Sequence, residues 1–428
     1  VPAHDRPKVW IKHMQADQDA RIAMTGGRIE AAKMIVSNSK SAPAAVELSG
    51  DAQVVVTNFM TGANAGSANI ALSGEASLTI GADGATTAYL NTGTSETTLS
   101  LDDAAVFEAK APLGVNKGGN AVTRIAAKGS SRMIARGNLT LATAAGGTTD
   151  AVFSENATLE AEGAVYISNN DTSDSKLTLK DDATIVLTGA GLYAGWSKQQ
   201  PGVFEMTGGR VAATNAEFAV RGGKSSAATI SGGAVDASYF NVQGANSAAD
   251  DVANTTNSLT ISGGRHRAHY VTKTVDQTGL VIGSNAKACV CEISGGELTV
   301  PQRVRLQAKA GGLARLRVSG GKLVVETSAN ESLVSLGHAA TVFGRLEMTG
   351  GEIVADKIVS TVGNGASLLA DGGCLTLNRA SESDSCLQGV DTVELGTKGL
   401  TVCVGAEKAG FLSHALTDAA GADGLFVK

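Results

Sequence analysis

A glycine pair that interrupts an alternating strand, and does so again and again, constrains this chain most. In "RLRVSGGKLVVE" (Arg315 to Glu326) apolar and polar residues alternate on both sides of the pair. The same break occurs as "MTGGRI" (Met24 to Ile29), "MTGGRV" (Met206 to Val211), "ISGGAV" (Ile230 to Val235) and "ISGGRH" (Ile261 to His266). It returns as "ISGGEL" (Ile293 to Leu298), "VSGGKL" (Val318 to Leu323) and "MTGGEI" (Met348 to Ile353). Degenerate copies fill the space between the first two: "VELSGDAQVVV" (Val46 to Val56), "IALSGEASLTI" (Ile70 to Ile80), "LSLDDAAVFEA" (Leu99 to Ala109) and "LTLKDDATIVL" (Leu177 to Leu187). Weaker copies lie at Ile125 to Met133, Phe153 to Leu159 and Val393 to Leu400.

Successive corners fall 22 to 32 residues apart, about 26.5 on average, which is the period of a solenoid. Alternation with a period of two makes each unit strand, turn, strand rather than helix. Leucine-rich repeats have a similar length but need a fixed Leu and Asn framework that is absent here. The pattern predicts an all-β fold, a single-stranded right-handed parallel β-helix of 14 to 15 coils, pectin-lyase-like. At about 4.8 Å per coil that is a rod of roughly 70 Å. Glycine turns the corner because it accepts positive φ at no steric cost, and Asp is the expected substitute at Asp51, Asp103 and Asp182. Leu316, Val318, Leu323 and Val325 should point inward, and Arg315, Arg317 and Lys322 outward. Residues 1–20 read as an N-terminal cap or linker, 21–410 as the β-helix, and 411–428 as a C-terminal segment.

Composition agrees. The chain has 53 Gly, 6 Pro and only 4% aromatic residues, too few for an aromatic-rich core. Small and β-branched residues suit thin stacked sheets. A net charge of -6 over 428 residues argues against nucleic acid as a partner. No run of 18 apolar residues marks a membrane span. The opening "VPAHDRPKVW" lacks a Met and a charged-then-apolar leader, as expected of a mature or excised product.

The repeated corner resembles those of extracellular right-handed β-helix proteins, in particular autotransporter-type passengers of Gram-negative bacteria. "LTDAAGADGLFVK" (Leu416 to Lys428) is similar to the start of the autotransporter-associated β-strand repeat, whose second half is not in this sequence. The resemblance implies export to the cell surface or beyond and an adhesive or structural role. It supplies no catalytic residues and no cofactor.

Candidate chemistry is sparse. Between residues 255 and 325 ten basic residues face three acidic ones, a local balance of +7. Arg303, Arg305, Arg315 and Arg317 are expected outward on neighbouring coils, with Arg265 and Arg267 nearby. Guanidinium forks suit an acidic glycan or another anionic polymer. The competing reading is a charge ladder, since Arg265, Glu297, Lys322 and Glu352 follow successive corners. Asp102-Asp103 and Asp181-Asp182 lie three coils apart, roughly 14 Å, too far for a two-carboxylate glycosidase. Asp51 and Glu75 read as solvated corners, and Asp250-Asp251 as a loop hydrogen bond or weak cation site. His266 should point in and His269 out, so they form no shared metal site. Cys289 and Cys291 should be core residues, Cys374 and Cys386 are a candidate disulfide, and Cys403 has no evident partner. Trp196 and Tyr193 form a candidate sugar-stacking pair, or simply cover a sheet edge. The function expected is a secreted or cell-surface structural or adhesin-type protein, not an enzyme and without metal. A polysaccharide-active lyase or hydrolase and an acidic-glycan-binding module are the alternatives.

Overall fold

The computed structural model describes residues 8–11, 14–16, 20–37, 43–61, 66–82, 87–169, 174–196, 201–222, 225–243, 256–269, 279–283, 288–307, 312–327, 332–337, 344–360, 365–377, 385–404, 417–418 and 426–427. All regular structure among them is β, paired in parallel. The chain divides into two compact units, Val1–Ala212 and Ala213–Lys428. Each is a β-solenoid.

A coil has a strand before the glycine corner, a strand after it, and a short third strand. In the first unit the flanking strands are exemplified by Glu96–Leu101 and Val106–Ala109, with Leu113–Gly114 as the third. In the second, Leu313–Val318 and Lys322–Glu326 flank the corner of the sequence motif and Leu333–Ser335 follows. Apolar side chains stack in register from coil to coil. Leu99, Ile125, Ala151 and Leu177 form one column in the first unit. Cys291, Leu316, Leu346, Leu368 and Val393 form one in the second. Leu316, Val318, Leu323 and Val325 are all 0% exposed, as the alternation requires. Each such side chain contributes roughly 1.5–3 kcal/mol, but only against its neighbours in the stack.

Among the described residues the third strands number 12, so about 12 turns carry all three strands rather than the 14 to 15 expected. The difference arises at the ends. After the corners near Gly26 and Gly50 the chain runs on as nine-residue strands, Arg28–Val36 and Gln53–Thr61, and the first third strand is Ala88–Tyr89. At the N-terminus, Lys8–Ile11 and Met14–Ala16 both pair in parallel with Arg28–Val36. At the other end, Thr417–Asp418 pairs with Glu394 and Leu395, and Phe426–Val427 with Leu400 and Thr401.

The corners use their residues differently from expectation. In most Gly-Gly copies the second glycine holds positive φ, as at Gly209 (78°) and Gly264 (82°); Gly321 of the "VSGGKL" copy does not. In the degenerate copies it is Gly50, Asp103, Glu155 and Asp181, not Asp51 or Asp182. The reason is the turn: Ser49 O accepts from Ala52 N at 3.2 Å, and Lys180 O from Ala183 N at 3.1 Å. The left-handed residue is the first of the two between them. An acid there costs about 1–2 kcal/mol over glycine. It gains a bond: the Asp103 carboxylate accepts Gly74 N–H at 3.0 Å, Glu155 accepts Gly129 N–H at 2.8 Å, and Asp181 accepts Glu155 N–H at 3.0 Å. These acids tie each corner to the one before it.

The interior is not wholly apolar. Thr97, Thr123, Thr149 and Ser175 form a buried hydroxyl column in register. Asn91 and Asn116, both 0% exposed, bond into it: Asn91 Nδ2 donates to Thr123 Oγ1 at 3.2 Å, and Asn116 Nδ2 to Thr149 Oγ1 at 2.8 Å. Each satisfies buried backbone or hydroxyl groups that would otherwise cost about 1–3 kcal/mol.

Gly209 and Glu155 test the corner chemistry. A Cβ at Gly209 would sit 2.2 Å from Ala183 O as well as at positive φ, so Gly209→Ala should cost more than about 2 kcal/mol. Glu155→Ala keeps the strain and loses the bond, for about 1 kcal/mol, whereas Glu155→Gly trades one for the other and should be near neutral. Urea midpoints of the three variants check the order.

Candidate functional site

The basic region of the second unit is resolved by its register. Arg265, Glu297, Lys322 and Glu352 stand opposite one another on successive coils, the ladder its sequence spacing suggests. Lys322 Nζ lies 2.9 Å from Glu352. Glu352 is held below the usual carboxylate range, first by the Thr376 hydroxyl and then by Lys322. One position inward on the preceding strands, Glu292, Arg317 and Glu347 alternate in the same way. Arg317 reaches Glu292 at 3.7 Å, and Glu347 is shared by Arg315 at 3.4 Å and Arg345 at 2.7 Å. Arg267 makes a two-toothed contact with Glu326, at 2.9 and 2.8 Å.

The six arginines do not form one patch. Arg315 and Arg317 lie on the strand Leu313–Val318 of the large sheet. Arg303 and Arg305 lie on Arg303–Leu306 of the short-strand sheet. Arg305 is only 5% exposed. The expectation that these four share a surface fails because the corner between the two strand types was not visible in the "PQRVRLQAKAGGLARLRV" stretch. At Arg267, Arg315 and Arg317 a polyanion would have to displace an existing carboxylate.

The described surface of the first unit contains a cleft of about 410 Å³ on the outer face of three neighbouring strands. Val122, Arg124, Thr148, Asp150, Asp174 and Lys176 line it, with Pro201 and Val203 at one end. Arg124, Asp150 and Lys176 stand in register. The two cations nevertheless turn outward, Arg124 to Glu96 and Lys176 to Glu205 at 2.7 Å. Asp150 and Asp174 therefore lie on adjacent coils in one cleft, flanked by positive charge. Sequence reading missed this pair because neither acid belongs to an acidic dipeptide. A signal was present: Arg124, Asp150 and Lys176 are spaced by one period.

The aromatic pair is a trio. Tyr166 stacks on Tyr193 with centroids 5.2 Å apart, and Trp196 sits edge-on to both at 5.2 and 4.7 Å. Tyr193 is 5% exposed, so its faces are used within the cluster. His266 is buried and His269 reaches Asp236 at 3.1 Å. His266 Nε2 donates to Gly263 O at 2.8 Å while Nδ1 accepts Val235 N–H at 3.2 Å. Burial pushes its pKa down, against smaller opposing effects of Gly263 O and Asp236. Cys289 and Cys291 are fully buried and pushed up by that burial to about 12. The expected Cys374–Cys386 disulfide is not formed: both are free thiols, and Cys403 lies on the strand paired with that of Cys374. Asp250-Asp251 lies outside the described residues. Asp102 is paired with Lys128 at 2.8 Å, and Glu75 is an exposed corner residue.

Comparison with protein-family models, with curated proteins and with solved structures finds no match to this chain.

Two measurements follow from this geometry. His266 is neutral when folded and has a lowered pKa, so the unfolded chain takes up a proton first as pH falls below its ordinary 6.5. Stability of the second unit should therefore fall on acidification from pH 8 to pH 5, by at most about 1.4 kcal/mol per pH unit, and His266→Leu should flatten that slope. The chain should also pass through immobilised heparin at physiological ionic strength. Retention that Arg315→Gln or Arg317→Gln abolishes would show these guanidinium groups to be available to anions after all.

Proposed function

We propose that this chain is an exported β-solenoid with a structural or adhesive role, working at the cell surface or beyond it in the manner of Gram-negative autotransporter passengers. The observation that carries this reading is the use of its outward charge. Acids at the corners accept backbone N–H groups of the preceding coil, and the arginine and lysine columns pair with glutamates coil by coil. Side chains that could serve chemistry instead hold successive coils together, as suits a scaffold whose loops make the contacts. The glycine corners add the likeness to passenger proteins.

Antibody against the full chain should label intact source cells without permeabilisation, and external protease should remove the signal. Beads coated with the chain should adhere to cells or matrix more than beads coated with an unrelated solenoid. Labelling only after permeabilisation, or adhesion no greater than the control, defeats this reading.

The cleft holding Asp150 and Asp174 favours a second reading, a polysaccharide-active site. It requires new reducing ends or unsaturated products from at least one neutral or acidic polysaccharide, lost in Asp150→Asn. Absence of products across such a panel removes it.

A further inference from the structure

The outward column of the second unit that begins Arg265, Glu297, Lys322, Glu352 continues as Cys374 and Thr401. Its neighbour, two residues along the strands, runs Val354, Thr376, Cys403. Cys374 and Cys403 are thus diagonal neighbours on adjacent coils. Both face out: Leu375 and Leu377 on the strand of Cys374 are buried while Cys374 is half-buried, and Cys403, in register with Thr376, is exposed. The Cys374 thiol contacts Thr376 Oγ1, in the same column as Cys403, at 3.6 Å.

The register decides what such a pair can do. Strands about 4.8 Å apart and a step of two residues, about 6.6 Å, put the two Cα atoms roughly 8 Å from each other. A disulfide needs about 4.4–6.8 Å. Closing that gap would break a ladder pinned by Cys374 N to Gly351 O at 2.9 Å and Thr401 N to Gly373 O at 3.2 Å. A bridging ion spans more, because two thiolate–metal bonds of about 2.3 Å each leave the sulfurs some 4.5 Å apart. Zinc would need four ligands. The nearest carboxylate, Glu352, is already taken by Lys322 and by the Thr376 hydroxyl at 2.7 Å. Two sulfurs without further donors suit a soft monovalent cation.

We propose that Cys374 and Cys403 form a two-coordinate thiolate site for cuprous copper or a similarly soft monovalent ion. Binding converts two thiols and one Cu(I) into an S–Cu–S bridge with release of two protons and no change of oxidation state. Because binding releases two protons, affinity should rise with pH.

The test uses the full chain, reduced and free of oxygen, titrated with Cu(I) against a chromogenic Cu(I) chelator. One ion per chain is expected, with affinity rising about tenfold or more from pH 6 to pH 8. Cys374→Ser and Cys403→Ser should each abolish it with unchanged circular dichroism and melting temperature, and Cys386→Ser should not. Binding that survives both serine variants overturns the proposal. So does a chain that in air loses two mass units through a Cys374–Cys403 disulfide, since the backbone would then be closer than the register places it.

Discussion

Most coils of this protein turn their corner through a residue held at positive φ, Gly320-Gly321 being an exception, and the corner fixes where the next coil lands. The carbonyl and N–H groups around it are the anchor of the parallel ladder: Gly27 O accepts Gln53 N–H at 2.8 Å, Gly50 O accepts Glu75 N–H at 2.7 Å, and Gly129 O accepts Asn156 N–H at 2.9 Å. Once the corner is placed, the alternation sends every second side chain inward, and a slip of one residue would expose the entire apolar column. The glycine, the alternation and the coil period are therefore one constraint seen at three scales.

The fold was legible in the sequence because that constraint is written in residue types. Gly-Gly preceded by Ser or Thr and followed by a variable and an apolar residue marks a corner, and Leu316, Val318, Leu323 and Val325 could be placed inside from their spacing alone. The inward His266 and the charge column from Arg265 to Glu352 were legible for the same reason: both depend only on parity along a strand. The number of complete turns was not. A corner announces itself through glycine, whereas the third strand is two to four residues long and has no signature, so nothing in composition marks that the chain after the first two corners runs on as the nine-residue strands Arg28–Val36 and Gln53–Thr61. Asp103 is left-handed as expected, but at Asp51 and Asp182 the left-handed residue lies one position earlier, since neither "SGD" nor "KDD" says which residue begins the turn.

Sites were harder to read than the fold, and the reason is again the third strand. Arg303 and Arg305 alternate as well as Arg315 and Arg317, but a corner lies between them, and alternation carries no information across it. The cleft with Asp150 and Asp174, and the meeting of Cys374 with Cys403, depend on side chains from different coils. Finding them needs the register between strands about 25 residues apart, to within a single residue. Coils of 22 to 32 residues do not give that precision before the corners have been placed.

The charge column of the second unit has a consequence for how such a chain can change length. Arg265, Glu297, Lys322 and Glu352 alternate in sign, as do Glu292, Arg317 and Glu347 beside them. Excising the coil of Arg317 and Lys322 would set glutamate against glutamate along both columns at once, and excising the coil of Glu297 would set lysine against arginine. Excising two restores the alternation. Recombination within this stretch is thus biased toward even steps, a parity rule imposed by electrostatics on the growth and shortening of the stack.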